Sequence, residues 1–162
     1  MNKPPDFDIR PAREEDYPTL LALSPRLTTG AAPWRDPAKF AAATRGWIES
    51  SLASAHEDGH AVMVALLGGR VAGMVSLAER RHFTGDLDAY IGELVTDGAV
   101  EGSGAGRALM AAAEEWAAGR GLSRITLETG ARNDRARHFY ERAGFAEEDV
   151  RLSKPVRPDP GR

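Results

Sequence analysis

A glycine-rich turn that runs directly into an alanine-rich helix constrains this chain more than any other feature. The stretch EGSGAGRALMAAAEEWAAGRG, residues 101–121, places glycine at three alternate positions, Gly102, Gly104 and Gly106. The first N–H groups of a helix have no partner inside the helix, and they carry a partial positive charge. Bare backbone at such a helix start therefore favours a bound anion, above all a phosphate group.

Two common phosphate motifs do not fit this stretch. A dinucleotide fold requires G-x-G-x-x-G after the first strand of a βαβ unit, whereas G-S-G-A-G here follows a strand that comes after a hairpin. A nucleoside triphosphate loop requires Gly-Lys-Ser/Thr, which residues 101–121 do not contain. Taken alone, the turn leaves open whether it holds a ligand or only supplies positive φ angles.

Length and charge restrict the class of protein. The 162 residues carry a formal net charge of −3 and no cysteine. This length predicts a single domain over residues 1–162, with a core at about 6–153 and a loose tail at 154–162. The chain has no basic block for nucleic acid or an anionic membrane, and no thiol for a disulfide or a thiolate metal site. Because no apolar run has the length of a signal peptide or a membrane span, we expect a cytoplasmic protein.

Hydrophobic periodicity predicts one α+β domain without internal repeats. Asp36 is predicted to cap the second helix, which is expected to bury Phe40, Trp47, Ile48 and Leu52. In chain order the predicted elements are a strand broken at Pro11, helix 14–24, helix 37–55, hairpin 60–80, strand 88–96, helix 104–120, strand 123–129, helix 133–143 and one or two strands within 145–156.

Two motifs follow one another along the chain, ELVTDGAVEGSGAGRAL at residues 93–109 and N-x-x-A-x-x-F-Y-x-x-x-G-F at residues 133–145. Together they resemble the two signatures of the GNAT N-acetyltransferase family, and IRPAREEDYPTLLAL resembles that family's first strand and helix. The resemblance covers about residues 6–153. It implies the GNAT acyl-CoA N-acyltransferase fold, in which helices flank a central, mostly antiparallel sheet that is splayed at the coenzyme site.

The resemblance also implies a coenzyme, acetyl-CoA as co-substrate, and no metal. Backbone N–H groups of the turn would hold its pyrophosphate, and strand residues 94–96, splayed from residues 125–128, would pair with the pantetheine arm. The implied coenzyme contacts are Leu94, Val95, Thr96, Glu101, Gly102, Ser103, Gly104, Ala105, Gly106, Arg107, Asn133, Ala136, Arg137 and Tyr140.

The chain departs from the family pattern at two of these positions. Glu101 stands where the family usually has Arg or Gln, and a carboxylate near a pyrophosphate is repulsive. We expect the Glu101 side chain to point to solvent and Arg107 to supply compensating charge. Thr96 stands where the family prefers Val, which is a nearly isosteric change. Neither departure removes a backbone N–H group, so binding is expected to weaken rather than disappear.

Acetyl transfer to an amine requires a neutral amine, a stabilised oxyanion and a proton for the departing thiolate. By resemblance Tyr140 is the proton donor, and the competing interpretation makes it a core aromatic beside Phe139. Glu93 is the first candidate for the general base, and an ordinary strand acid is the alternative. The backbone N–H of Val95 is the candidate oxyanion donor.

Strand alternation complicates the choice of base. Asp88 and Tyr90 share the parity of Thr96, while Glu93 points the opposite way unless a bulge intervenes. A water molecule relayed from Asp88 is therefore an open alternative to Glu93. We assign Asp88 and Tyr90 to the acceptor side.

Trp34 is the other candidate for acceptor binding, although it is also suited to anchoring its own loop. The loop at residues 78–86 contains two arginines, which suit either a carboxylate ligand or solvent. HEDGH, residues 56–60, matches the zinc-protease motif H-E-x-x-H in letters only, because the helix is expected to end before His60 begins a strand. His82 and His138 are interpreted as surface or structural residues.

The sequence thus predicts an acetyl-CoA-dependent N-acetyltransferase that acts on a primary amine of a small molecule or a peptide. The slight negative charge weakly favours a cationic acceptor. The alternative is a non-catalytic acyl-CoA-binding sensor or scaffold with the same fold, which Glu101 keeps open. A homodimer is implied by the resemblance only, with the final strands as its site.

Overall fold

Five strands form one sheet whose spatial order follows the chain order. The structure, a computed structural model, describes residues 6–157. Neighbouring strands are antiparallel except for the last pair, which is parallel. The strands are β1 (Asp8–Pro11), β2 (His60–Leu67), β3 (Arg70–Arg81), β4 (Leu87–Thr96) and β5 (Ile125–Leu127). The helices are α1 (Tyr17–Ala22), α2 (Pro37–Ala53), α3 (Ala105–Gly119) and α4 (Asp134–Arg142).

The helices cover both faces of the sheet, and each face has its own core. The first core lies under α1 and α2, and the second lies under α3, with α4 packed at its margin. Buried residues of the first core are Ala12, Leu20, Leu23, Ile48, Leu52, Val62, Val64, Met74 and Val95. Buried residues of the second core are Ala65, Val75, Leu77, Ile91, Leu109, Met110 and Ala113. The predicted architecture, a mostly antiparallel sheet flanked by helices, is confirmed.

Midway along the ladder between β3 and β4, strand β4 has one residue more than β3 between paired positions. Val75 lies opposite Leu94 and Leu77 opposite Ile91, so Ser76 faces two residues of β4, Gly92 and Glu93. This is a β-bulge, which shifts every side chain beyond it to the other face of the sheet. A side chain at Gly92 would lie 2.8 Å from the Ser76 hydroxyl, so glycine permits this close approach.

The sheet opens immediately after the bulge. Strand β5 pairs with the first part of β4, and this pairing ends at Ile91 and Leu127. Within residues 6–157, the part of β4 from Gly92 to Thr96 has β3 on one side and no strand on the other. The predicted splay between residues 94–96 and 125–128 is therefore present in the fold.

Several local predictions are wrong. Pro11 does not break β1, since it pairs with Met63 and the Ala12 N–H still donates to the carbonyl of Val62 at 2.8 Å. The first helix is shorter than predicted, with 3₁₀ turns at Glu14–Asp16 and Ser24–Thr28 on either side of α1. In α2 the Asp36 cap is confirmed, but Trp47 is 47% exposed and Thr44 is buried.

The predicted final strands within residues 145–156 do not form. This segment is irregular, and Val150, Leu152 and Val156 are exposed. Glu147 forms an ion pair with Arg137 of α4, so a charged contact holds the start of the segment against the helix instead of pairing it with β5. Residues 1–5 and 158–162, which include most of the predicted tail, lie outside the described residues.

Candidate active site

The turn before α3 and the first residues of α3, residues 102–107, form an open backbone site suited to an anion, which we call the cradle. Gly102 and Gly104 have φ angles of 77° and 103°, which residues with a side chain rarely adopt. A Cβ at either position would meet nothing within 4 Å, so the backbone there is open to a ligand. Among residues 6–157, the N–H groups of the turn and first helical residues have no acceptor, namely those of Gly102, Gly104, Ala105, Gly106 and Arg107.

The open edge of β4 offers further backbone groups. The Asp97 N–H donates to the carbonyl of Ala72 at 2.8 Å, which fixes the direction of the ladder. Because backbone groups alternate along a strand, the N–H and C=O groups of Val95 also point to β3. Those of Leu94 and Thr96 point into the gap between β4 and β5, beyond the last paired residue, Ile91. The Val95 N–H predicted as oxyanion donor therefore faces β3, whereas the N–H groups on the open edge belong to Leu94 and Thr96.

Glu93 is held at the bulge by two hydroxyl groups. Its side chain is buried, with the residue 4% exposed, and Oε2 accepts a hydrogen bond from Ser51 Oγ of α2 at 2.8 Å and another from Ser76 Oγ. The Ser76 hydroxyl also accepts the Glu93 N–H at 2.8 Å. No side-chain oxygen among the described residues is sealed from solvent without a partner, so Oε1, which has none, reaches solvent. One carboxylate oxygen is thus anchored and the other is free.

The bulge brings the two candidate bases to one face. Glu93 touches Ser51 of α2, so it lies on the α2 face of the sheet. Ala89 lies opposite Glu79, which pairs with Arg120 at the end of α3, so both residues lie on the α3 face. Because side chains alternate along a strand, Asp88 and Tyr90 on either side of Ala89 lie on the α2 face with Glu93. The bulge that strand alternation required for Glu93 to join Asp88 and Tyr90 is therefore present. Thr96, beyond the bulge, lies on the opposite face.

Tyr90 lies between charged neighbours on this face. The Arg80 guanidinium is 4.5 Å from the ring centre and 3.8 Å from the carboxylate of Glu128. Burial, followed by the negative charge of Glu128, raises the pKa of the Tyr90 phenol. Arg80 is therefore already engaged with the ring and a carboxylate, which does not favour the interpretation of Arg80 as a carboxylate ligand.

Tyr140 approaches from the α3 face. It packs at the margin of the second core, with edge-on ring contacts to Phe139 at 5.3 Å and Phe145 at 5.6 Å. Burial raises the pKa of its phenol to about 12. The hydroxyl therefore stays protonated at any physiological pH, and among residues 6–157 it has no hydrogen-bond partner. Leu94, which faces the gap, belongs to the same cluster.

The start of α4 follows its signature. The Asn133 side chain accepts the Ala136 N–H at 3.2 Å and so caps the helix. Arg137 forms an ion pair with Glu147, a partner that competes with any contact to a coenzyme. The preceding loop is tightly packed, since a Cβ at Gly30 would lie 2.6 Å from the Asn133 side chain. The loop before α2 therefore rests directly on the cap of α4.

Glu101 is exposed, as expected, but its carboxylate is paired with two arginines. Its Oε1 lies 3.4 Å from Nη2 of Arg26 and also contacts the guanidinium of Arg135, while Arg107 is exposed. Arg26 follows α1 and Arg135 lies in the first turn of α4, so the compensating charge comes from two distant elements. The expectation that Arg107 supplies it is not supported.

The remaining predicted residues lie at the surface or in turns. Trp34 is 62% exposed, and the Arg132 guanidinium is 6.0 Å from the centre of its ring. His56 lies in a turn after α2 and His60 begins β2. The two histidines therefore do not share a helix, which agrees with the sequence prediction. In the part of the chain that the structure describes, no group of three or more His, Cys, Asp or Glu residues is placed to hold a metal ion.

The family comparison agrees with this geometry. The sequence profile described as the acetyltransferase (GNAT) family matches residues 15–145. The chain belongs to this family. Its members are in general acetyl-CoA-dependent acetyltransferases. The comparison with curated proteins finds no match.

Solved structures share the fold over nearly the whole chain. A GCN5-related N-acetyltransferase from Ralstonia eutropha JMP134 is 23% identical with a TM-score of 0.71, covering 93% of this chain and 99% of its own. Glucosamine-6-phosphate N-acetyltransferase from Arabidopsis thaliana is 18% identical with a TM-score of 0.65, covering 94% and 99%. AAC(6')-Iy, in complex with the bisubstrate analog CoA-S-monomethyl-acetylneamine, is 16% identical with a TM-score of 0.66, again covering 94% and 99%. At these identities the likeness shows the fold.

Sequence reasoning missed four residues of this site. Ser51 and Ser76 hold the Glu93 carboxylate, and Arg26 and Arg135 surround Glu101. A serine or arginine in a helix or strand carries no local signal of such a role. A register count along β3 and β4 was the only available indication, and it required knowledge of the bulge.

We expect Gly104→Val to weaken acetyl-CoA binding at least tenfold, about 1.4 kcal/mol, measured by calorimetry. The side chain would occupy the open cradle and force a φ of 103° on a β-branched residue. The matched control is Gly121→Val, where φ is 71° at the far end of α3. The control is expected to lose stability while keeping its affinity, and equal affinities of all three proteins would remove the turn from the coenzyme site.

We expect Glu101→Gln to tighten acetyl-CoA binding by about two- to fivefold, since surface ion pairs of this kind are weak. Removing the carboxylate frees Arg26 and Arg135 for the pyrophosphate, so the gain is expected to shrink as salt is added. Glu114→Gln, an exposed acid on α3, makes the same change in net charge and is the control. Weaker binding by Glu101→Gln would show instead that the carboxylate is needed to hold the arginines in place.

Proposed function

We propose that this protein is an N-acetyltransferase that moves the acetyl group of acetyl-CoA to a primary amine of a small molecule or a peptide. The observation that carries the proposal is the placement of two ionisable groups on opposite sides of the gap in the sheet. Glu93 lies on the α2 face with one free oxygen, and Tyr140 lies on the α3 face with a protonated hydroxyl.

Acetyl-CoA supplies the activated acetyl thioester, and three sets of residues would hold it. Free N–H groups from Gly102 to Arg107 suit the pyrophosphate, and the backbone of Leu94 and Thr96 suits an extended amide chain in the gap. Arg26 and Arg135 add positive charge beside the cradle. An open cradle, an open strand edge and nearby cations together support this assignment.

Glu93 is the proposed general base. Its Oε1 is free to accept a proton from the amine, while the Ser51 and Ser76 hydroxyls keep the carboxylate in one orientation. A positioned base of this kind contributes about 10²- to 10⁴-fold to a rate. The burial of the side chain also argues against the interpretation of Glu93 as an ordinary solvated strand acid, since unpaired acids are rarely buried.

The other two requirements fall to the open strand edge and to Tyr140. The N–H of Leu94 or Thr96 would donate to the carbonyl oxygen as negative charge develops on it. The Tyr140 hydroxyl would donate to the sulfur as it leaves. Full transfer from a phenol of pKa about 12 to a thiolate of pKa about 8.5 is uphill by roughly 5 kcal/mol. Tyr140 therefore stabilises the departing thiolate through its hydrogen bond. The thiolate then takes a proton from solvent, and Glu93 returns the amine proton to solvent, so the protons balance.

A non-catalytic CoA-binding sensor remains the second candidate, because Glu101 places a carboxylate at the cradle. Mass spectrometry of the purified protein tests for retained CoA, which both candidates predict. A thiol-release screen against diverse amines then separates them. Release of CoA thiol that depends on an added amine supports the transferase, and coenzyme binding without release supports the sensor.

Location and assembly are also proposals. None of the helices in the described part of the chain has the length and apolar character needed to cross a bilayer. We retain the cytoplasmic location from the sequence.

A homodimer is also retained as a proposal, now at the irregular segment 145–156, whose exposed Val150 and Leu152 are apolar surface that a second copy would cover. Light scattering measures the mass in solution.

We expect Glu93→Gln to lower the turnover rate by about 10²- to 10⁴-fold, because an amide cannot take the amine proton. The amide oxygen still accepts hydrogen bonds from Ser51 and Ser76, so coenzyme affinity is expected to hold. Glu79→Gln is the control, a half-buried strand acid on the other face that pairs with Arg120. A rate close to wild type in Glu93→Gln would reject Glu93 and favour the water relayed from Asp88.

We expect Tyr140→Phe to lower the turnover rate about a hundredfold or more while the acetyl-CoA dissociation constant stays the same. Phenylalanine keeps the apolar volume, so the change isolates the hydroxyl. Tyr17→Phe, which alters a tyrosine packed on the first core, is the control. A wild-type rate in Tyr140→Phe would assign the sulfur contact to another group.

An alkaline titration checks the state of Tyr140 separately from the rate. Its pKa rises from 10.0 to about 12 on folding. The contribution to stability is therefore complete below pH 10 and is lost as the pH rises towards 12. Relative to wild type, Tyr140→Phe is expected to gain in stability across that window, and its tyrosinate absorbance is expected to lack the step near pH 12.

A further inference from the structure

We infer that the acceptor carries a second positive charge and that Asp88 binds it. The inference rests on the proposed function and names the class of amine, an extended diamine or a similar dication. Asp88 would hold the ammonium group that does not react, while Glu93 takes the proton from the amine that does.

Asp88 is a buried carboxylate without a partner. The residue is 7% exposed, yet among residues 6–157 it accepts no side-chain hydrogen bond and no cationic side chain lies within the 4.0 Å of an ion pair. Its oxygens are nevertheless not sealed, since no buried side-chain oxygen in the described part of the chain lacks a partner. The carboxylate is therefore mostly buried but keeps some contact with solvent. A buried charge without a partner is costly, and a ligand cation removes that cost.

The charged residues around Asp88 favour a cation as its ligand. Glu93 and Glu128 lie on the same face as Asp88, and Arg80 of β3 lies directly opposite Asp88 in the ladder. The Arg80 guanidinium turns to the Tyr90 ring and Glu128, so it forms no ion pair with Asp88. Arg124, which precedes β5 beside Asp88, adds a second guanidinium, so three carboxylates and two guanidiniums leave this face with a small excess of negative charge.

The spacing along β4 sets the length of the ligand. Five residue steps separate Asp88 from Glu93, and the bulge absorbs one of them. Four strand steps of about 3.3 Å give a separation of about 13 Å. The half-buried Tyr90 ring lies between the two carboxylates and offers an apolar surface for methylene groups. An unbranched diamine of about eight to ten carbons spans this distance at about 1.3 Å per bond.

Activity measured against diamines of increasing chain length tests the inference. Purified full-length protein with saturating acetyl-CoA is assayed against unbranched alkyl diamines from propane to dodecane chains, each beside the monoamine of equal length. We expect the diamine to exceed its monoamine at least tenfold in kcat/KM, with the ratio greatest at about eight to ten carbons. Equal values for diamines and monoamines at every length would overturn the inference.

Two variants assign the effect to Asp88. Asp88→Asn is expected to bring the diamine-to-monoamine ratio close to one. Asp86→Asn, in the exposed hairpin turn where its carboxylate accepts from Thr84, makes the same change in net charge and is expected to keep the ratio. A ratio that survives in Asp88→Asn, or falls equally in both variants, would overturn the role of Asp88.

Calorimetry with octane diamine separates this inference from the proposed function. Binding that is lost in Asp88→Asn and kept in Asp86→Asn, without turnover of any amine, would support the dication site and reject the transferase. Turnover of monoamines and diamines with equal efficiency would support the transferase and reject the dication site. Octylamine serves as the matched ligand with one charge.

Discussion

One extra residue in β4 determines how the rest of the site is arranged. The bulge at Gly92 and Glu93 leaves the Glu93 N–H out of the strand ladder, and the Ser76 hydroxyl accepts it. The same hydroxyl donates to the Glu93 carboxylate, so a single side chain stabilises both the irregular backbone and the acid next to it. Pairing with β5 ends one residue earlier, at Ile91. A change of face, a buried carboxylate and an open strand edge therefore have one common cause.

The open edge divides the molecule into two chemical sides. The α2 face carries Asp88, Tyr90 and Glu93, whereas the α3 face carries Tyr140 and leads to the cradle before α3. In the proposed mechanism, Glu93 on one side takes a proton from the entering amine, and the Tyr140 hydroxyl on the other side stabilises charge on the leaving sulfur. Each face has its own buried core, which keeps the two sides rigid relative to the gap between them.

Local signals predicted the parts of the fold that local chemistry determines. The element order as far as α4, the Asp36 cap and the glycine turn follow from residues a few positions apart, and the structure contains all three. The bulge does not, because an extra residue in β4 has meaning only against the register of β3. Ser51 reaches Glu93 across 42 positions of sequence, and no periodicity describes that contact. The sequence of residues 145–156 predicts one or two strands, but in the described structure the segment has no pairing partner and its start forms an ion pair with α4.

Position 101 shows why a motif carried over residue by residue can misplace a charge. The family signature usually has a cation or an amide there, and this chain has a carboxylate that two arginines surround. The cradle itself consists of backbone N–H groups, which every residue supplies, so its geometry is independent of that side chain. Positive charge near the cradle is a property of the assembled site, and it can come from any element that folding brings there. In this protein the region after α1 and the first turn of α4 supply it, and the carboxylate of Glu101 joins these two elements across the mouth of α3.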